Sequence, residues 1–315
     1  MLPYAWRVTK YDPADRDEHG RYTGPETIYS DHGPVEQAYL DAVAAFCEDT
    51  GVTRLAIREP QVAGLVNFGV EPPIPGHGLA GLFPPDLAGY HDGAEVPVEV
   101  AVALVRAMLR DHGAWCRLEV EGRFFVDVGY DQYLYVGSDR PCGRAVARTH
   151  ELGLFAEPVD GYDREVEEPG ERRPADQAFW AELAGLAAAR GAVLLQELFV
   201  ENASRWYRLT PASDLGAVRA GLRPRARLLA WPDLSPGVDG VLASLPDDLF
   251  EFVWEDPLGR LHGQQASDVH AEELRELSAG ARAATIVRSA VAAPDPLLAA
   301  VLPDPDGVVR ARWTP

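Results

Sequence analysis

Apolar and polar positions alternate most sharply in WCRLEVEGRFFVDVGYDQYLYVGS, residues 115–138. Three runs of two-residue period are divided there by Glu121-Gly122 and by Gly129-Tyr130-Asp131, which predicts a three-stranded antiparallel meander. A strand over 4–10 comes first in the chain, and 12–24 is a polar, turn-rich loop. Helical spacing takes over at 34–49, with Pro34 in the first turn, Asp31 near the cap and Gly51 beyond the end. Val35, Tyr39, Val43, Phe46 and Cys47 form its apolar stripe. A short strand over 54–58 and a Pro- and Gly-rich stretch over 59–93 lead to a second helix, 95–111, whose stripe is Val98, Val102, Val105 and Leu109. A third helix over 141–152 closes this half.

Between Glu157 and Asp176 the chain holds eight acidic residues, three arginines and almost nothing apolar, with Pro158, Pro169 and Pro174. Such a stretch reads as a linker, 157–175, between a domain over 1–156 and another over 176–315. The second domain begins with a helix over 176–190 striped by Phe179, Trp180, Leu183 and Leu186, and a hairpin of 193–200 with 204–209. Helices near 214–221, 238–245 and 271–279 then alternate with strands over 225–231, 250–255 and 285–290, and 308–313 reads as an edge strand. The fold class expected is α+β: two two-layer units of mostly antiparallel sheet and helix, joined by the acidic, proline-containing linker.

Charge changes the picture. The 29 basic residues face 49 acidic ones in 315, a net charge of −20, so the mean surface repels phosphate and anionic lipid, and any nucleic-acid contact has to be local. All the basic residues but Lys10 are arginine. No apolar run approaches the ~20 residues of a membrane span, and no charged-then-apolar leader opens the chain, so a cytoplasmic protein without membrane contact is expected. Three widely spaced cysteines, Cys47, Cys116 and Cys142, fit reduced, buried thiols.

Candidate chemistry is sparse. Asp15-x-Asp17-x-His19-Gly20-x5-Glu26 has the spacing of a calcium loop, with oxygen ligands Asp15, Asp17 and Glu26, yet His19 is a poor ligand and the flanks are not helical. Cys116 with His112, and Cys142 with His150, lack the geometry of a thiol and its base; the second pair projects about 80° apart on a helix. His77, with His91 and Asp92, stands at the two ends of the long loop and would make a metal or acid–base site if those ends met. No phosphate loop, nucleophile elbow or zinc spacing occurs, and no cofactor is expected. Arginine interleaved with aromatics, the chemistry that holds single-stranded RNA, recurs in Arg205-Trp206-Tyr207-Arg208, in Arg223, Arg225 and Arg227, and in Arg312-Trp313. In a strand the same alternation also arises where arginine marks the wet face.

YAWRVTKYDPADRDEHGRYTG, MLRDHGAWCRLEVEGRFFVDVGYDQYLYVGS, RWYRLT, RARLLAWPDLS and GVVRARW together resemble the N-terminal region of a poorly characterised high-G+C bacterial family catalogued as RNA-binding or S1-domain-containing proteins. The resemblance spans nearly the whole chain. It implies an RNA-associated context and transfers no site residue, since in such proteins the S1 barrel follows the segment matching 308–313 and is expected to be missing here. The function expected is a non-enzymatic binding or regulatory protein whose partner is RNA or a ribonucleoprotein. An acidic immunity-type protein that covers a basic partner is the alternative, and a hydrolase with a scattered active site the third class.

Overall fold

The computed structural model describes residues 2–25, 33–63, 77–129, 133–160, 162, 173–287 and 295–312. Contacts divide the chain into two units: the described residues up to 162 together with Arg312 form the first, and 173–311 the second. Each is α+β, with antiparallel ladders between its named strands.

The first unit is a seven-stranded sheet covered on one face by three helices. In chain order it runs β1 (Tyr4–Thr9), α1 (Pro34–Thr50), β2 (Arg54–Val62), β3 (Glu95–Pro97), α2 (Val98–Leu109), β4 (Ala114–Val120), β5 (Phe124–Val128), β6 (Leu134–Ser138), α3 (Gly143–Glu151) and β7 (Phe155–Pro158). The strand order is β3-β2-β4-β5-β6-β1-β7, with the expected meander at its centre. α1 ends where Gly51 turns left-handed, at φ 68°, and returns its N–H to the carbonyls of Cys47 and Glu48. Its inner stripe is Tyr39, Val43, Phe46 and Cys47, while Val35 is exposed and Asp31 lies outside the described residues.

Two differences from the sequence reading have local causes. Pro97 is extended and ends β3, so α2 starts at Val98; it buries Ala101, Leu104, Val105, Ala107, Met108 and Leu109, which keeps Val105 and Leu109 of the expected stripe and leaves Val98 and Val102 half-buried. Phe155–Pro158 pairs with β1, so the sheet runs into the stretch read as a linker. Arg7 fixes that edge by donating through Nε and Nη2 to Glu157 Oε2, at 3.2 and 2.9 Å.

The second unit has α4 (Gln177–Arg190), β8 (Val193–Val200), β9 (Ala203–Leu209), α5 (Leu215–Ala220), β10 (Arg227–Pro232), α6 (Val238–Leu242), β11 (Phe250–Glu255), β12 (Leu261–Ala266), α7 (Ala271–Leu277), β13 (Ala283–Val287) and β14 (Leu298–Val301). The strands form a four-stranded sheet, β14-β10-β8-β9, and a three-stranded one, β12-β11-β13. Asp176 caps α4 by accepting from the Phe179 N–H. Phe250, Phe252, Trp254, Leu274 and Leu242 pack the core of the smaller sheet under α6 and α7. The edge strand expected over 308–313 is not formed through its described part, 308–312: the Asp304 N–H donates to the Val308 carbonyl, and Arg310 folds back onto Asp304 and Asp306. Trp313 lies outside the described residues. No described helix is long and apolar enough to cross a membrane.

Candidate functional site

Register decides what the first sheet shows on each side. Trp6 of β1 meets Phe46 of α1 with ring centroids 5.2 Å apart, so the side carrying Trp6, Val136, Val126, Leu118 and Ile57 faces the helices. The intervening positions, Arg58, Arg117, Glu119, Phe125, Asp127, Tyr135 and Arg7, share the other side. A solvated face of this kind would leave its charges exposed. Instead Arg58, Arg117, Glu119 and Asp127 are only 8%, 7%, 6% and 3% exposed.

Tyr162 is part of the cover. Its ring stacks on Tyr135 at 3.9 Å and 8°, approaches Phe125 at 5.7 Å, and its hydroxyl donates to Asp127 Oδ2 at 2.8 Å. Phe125 in turn lies across β6 at Gly137, where a Cβ would collide with the ring. The glycine is therefore required by close approach, not by backbone torsion.

Around Glu119 three guanidiniums gather. Arg312 Nη1 donates to Oε2 at 2.9 Å, Arg117 Nε stands 3.6 Å from Oε2, and Arg58 Nε is 3.4 Å from Oε1. Arg58 also faces Asp92 at 3.4 Å, so three cations meet two carboxylates in this network. Arg117 lies over the Phe125 ring, 4.2 Å from its centroid, a contact worth about 0.5–2 kcal/mol. Its Nε and Nη1 are buried and make no hydrogen bond among the described residues, a cost of about 1–3 kcal/mol for each unmet donor. A cavity of about 290 Å³ opens beside these groups, lined by Arg117, Glu119, Phe125, Tyr162 and Arg312 and by the Glu121-Gly122 turn. Its lining sets Arg117 and Arg312, with Glu119 and the exposed Glu121, beside the Phe125 and Tyr162 rings.

In the second unit Arg205, Arg208 and Arg225 are paired with carboxylates. Glu197, fully buried, accepts from Arg205 Nε and Nη2 at 2.8 and 2.9 Å, from the Tyr207 hydroxyl at 3.0 Å and from the Arg223 N–H at 2.6 Å. Burial beside that carboxylate pushes the Tyr207 phenol up to about 12. Trp206 turns inward and donates to Glu251, which also accepts from Gln196 at 2.7 Å. Arg208 bonds Asp233 and Glu255, and Arg225 grips both oxygens of Asp304 at 2.8 and 2.9 Å. Arg227 is half-buried in β10, opposite Leu198 and Val301.

The remaining candidates have local engagements of their own. Asp17 Oδ1 accepts from the backbone of His19 and Arg21, which makes a turn of the loop holding Asp15, and Glu26 lies outside the described residues. Asp92 is committed to Arg58 and to the Glu59 N–H, while His91 turns Nδ1 to its neighbour's carbonyl. His77 sits by Gly113, where burial lowers its imidazole below the ordinary value. No three His, Cys, Asp or Glu side chains fit to hold a metal gather among the described residues. All three thiols are buried, and burial pushes Cys47 and Cys116 up to about 12.

Arg58, Arg117, Glu119, Phe125, Tyr135 and Tyr162 were not singled out by sequence reasoning. The available signal was a meander whose second face mixes arginine, carboxylate and aromatic residues where a plain wet face would be polar throughout. No family model matches the chain, and neither a curated protein nor a solved structure matches it.

Proposed function

We propose that the protein works by recognition, as a binding accessory in RNA-associated work, and that it makes contact through the helix-free face of the first sheet. One arrangement supports this reading above all: Arg58, Arg117 and Arg312 share Glu119 beside the Phe125 and Tyr162 rings, with a cavity open to Arg117, Arg312 and both rings. Guanidinium planes and aromatic faces hold unpaired bases and their phosphates without demanding a sequence. The net charge of −20 gives no long-range attraction for a polyanion, so the contact is short-ranged and local. In the second unit Arg205, Arg208 and Arg225 are spent on internal carboxylates and serve stability.

Filter retention of a 5′-phosphorylated single-stranded RNA oligomer, titrated with salt, tests the reading. Retention is expected to weaken roughly tenfold in Arg117→Met and to stay unchanged in Arg225→Ala, each variant first shown to be folded by circular dichroism. No retention by the native protein, or equal loss in both variants, overturns it. The same charge balance favours a second reading, in which an anionic surface covers a basic protein. Pull-downs from lysate with and without RNase separate the two, since capture of a basic protein would survive the nuclease.

A further inference from the structure

Resting on that reading, we infer that the cavity beside Arg117 takes one nucleotide carrying a terminal phosphomonoester, either free or at the end of an RNA, and not the interior of a strand. At about 290 Å³ it stands at the small end of the range for ligand pockets, about 300–1,000 Å³, which suits one base with one anionic group. The flat wall is supplied by Tyr162, which Tyr135 backs at 3.9 Å and Asp127 anchors through the hydroxyl, with the buried Phe125 ring beside it at 5.7 Å. A Tyr face stacks on any base, so the site is tolerant of base identity.

The anionic end is set by Arg117 and Arg312. Arg117 is held over Phe125 with two nitrogens that make no hydrogen bond among the described residues, and Arg312 reaches Glu119 through Nη1. A phosphate placed against this pair provides the acceptors that the Arg117 guanidinium lacks, and a monoester, with its higher charge and three free oxygens, satisfies two guanidiniums better than a diester does. Exposed Glu121 stands at the rim, and each further phosphate of a strand would approach a molecule of net charge −20. One phosphate beside the guanidiniums gains, and a row of them leading away loses.

Calorimetric titration of the whole chain with AMP, adenosine, ribose 5-phosphate, a short RNA with a 5′-phosphate, the same RNA without it, and a circular RNA tests the assignment. AMP and the phosphorylated RNA are expected to bind and to compete with each other. Adenosine and ribose 5-phosphate each lose the contacts of one half of the site and bind roughly tenfold or more weakly. Arg117→Met and Arg312→Gln each weaken AMP by a similar factor, and Arg312, half-buried, gives the readout if the Arg117 variant does not fold. AMP binding that both folded variants retain overturns the assignment. Circular RNA binding as tightly as the phosphorylated oligomer, or RNA binding with no response to AMP, overturns the terminal-nucleotide pocket and leaves the RNA reading standing. Failure of every ligand overturns both.

Discussion

The guanidinium of Arg117 sits face-on to the ring of Phe125 across the β4–β5 ladder, its carbon 4.2 Å from the ring centroid, in a position almost closed to water. Burying a guanidinium is costly unless it is paired and hydrogen-bonded, and here Glu119 is shared with two other arginines. The strand also spends two of its outward positions, 117 and 119, on charges where leucine or valine would pack against Phe125 at less cost. Folding alone does not ask for that arrangement, and this gives the helix-free face its claim as the working surface.

Gly137 permits the arrangement. A Cβ there would strike Phe125, whose ring also meets Arg117 and Tyr162, so the ring cannot shift without disturbing the site. Gly137→Ala is expected to destabilise the first unit by about 1–3 kcal/mol, the cost of overpacking a filled site, and to weaken AMP binding. Urea denaturation checks it; a variant as stable as the native chain would show that Phe125 has room the structure does not display.

The elements that announced themselves in the sequence are those with a clean period or a local cap. The meander of β4, β5 and β6 alternates over most of its length, β11 is a short aromatic-rich run, and α4 carries Asp176 at its start. β12 gave no such signal: LHGQQA contains little apolar surface, and it is held by pairing with β11 and by His262 lying on Trp254 at 5.2 Å. β14, LAAV, is too short to show a period. The site was hidden for a different reason. Alternation identifies Arg117 and Glu119 as sharing a face, but whether that face meets water depends on Tyr162, and on Arg312, 193 residues from the Glu119 it binds. In the second unit the alternating arginines were visible and their partners were not, because Glu197 stands within the apolar run of β8.

Glu197 is the residue on which the hairpin of β8 and β9 depends. It is fully buried, and Arg205 is the cation that answers it, with Tyr207 and the Arg223 N–H completing its bonds. Glu197→Gln keeps the shape and removes the buried charge that Arg205 grips with two nitrogens. A loss of about 3 kcal/mol is expected, at the low end for a broken buried pair because a third of the Arg205 side chain remains in water. Chemical denaturation of the second unit measures it, and RNA retention should not change. A variant that lost retention at full stability would restore the second unit as a nucleic-acid surface.

Asp304 gives the second unit a predictable response to acid. Hydrogen bonds from Arg225, and then from Arg310, hold its carboxyl below the ordinary 3.8 despite partial burial. A folded-state value depressed in this way contributes stability that is present above the unfolded value and is lost as the pH falls through the folded one. The stability difference between the native chain and Arg225→Gln is therefore expected to be fullest near neutral pH and to narrow below about pH 4. Denaturation at several pH values checks the slope, and a gap that widens in acid would mean that Arg225 acts through another group.

Tyr162 separates the two jobs assigned to the helix-free face. Its ring forms the wall beside Phe125 and rests on Tyr135, while its hydroxyl serves Asp127, a carboxylate that is 3% exposed. Tyr162→Phe removes one hydrogen bond to a buried charge and should cost about 1–3 kcal/mol, with AMP affinity within about twofold of the native value because the stacking plane survives. Tyr162→Ala removes the plane as well, and AMP affinity should then fall roughly tenfold, the worth of one stacked base. If the phenylalanine variant loses AMP as completely as the alanine variant while remaining folded, the hydroxyl itself touches the ligand, and the ring is not the wall that the base rests on.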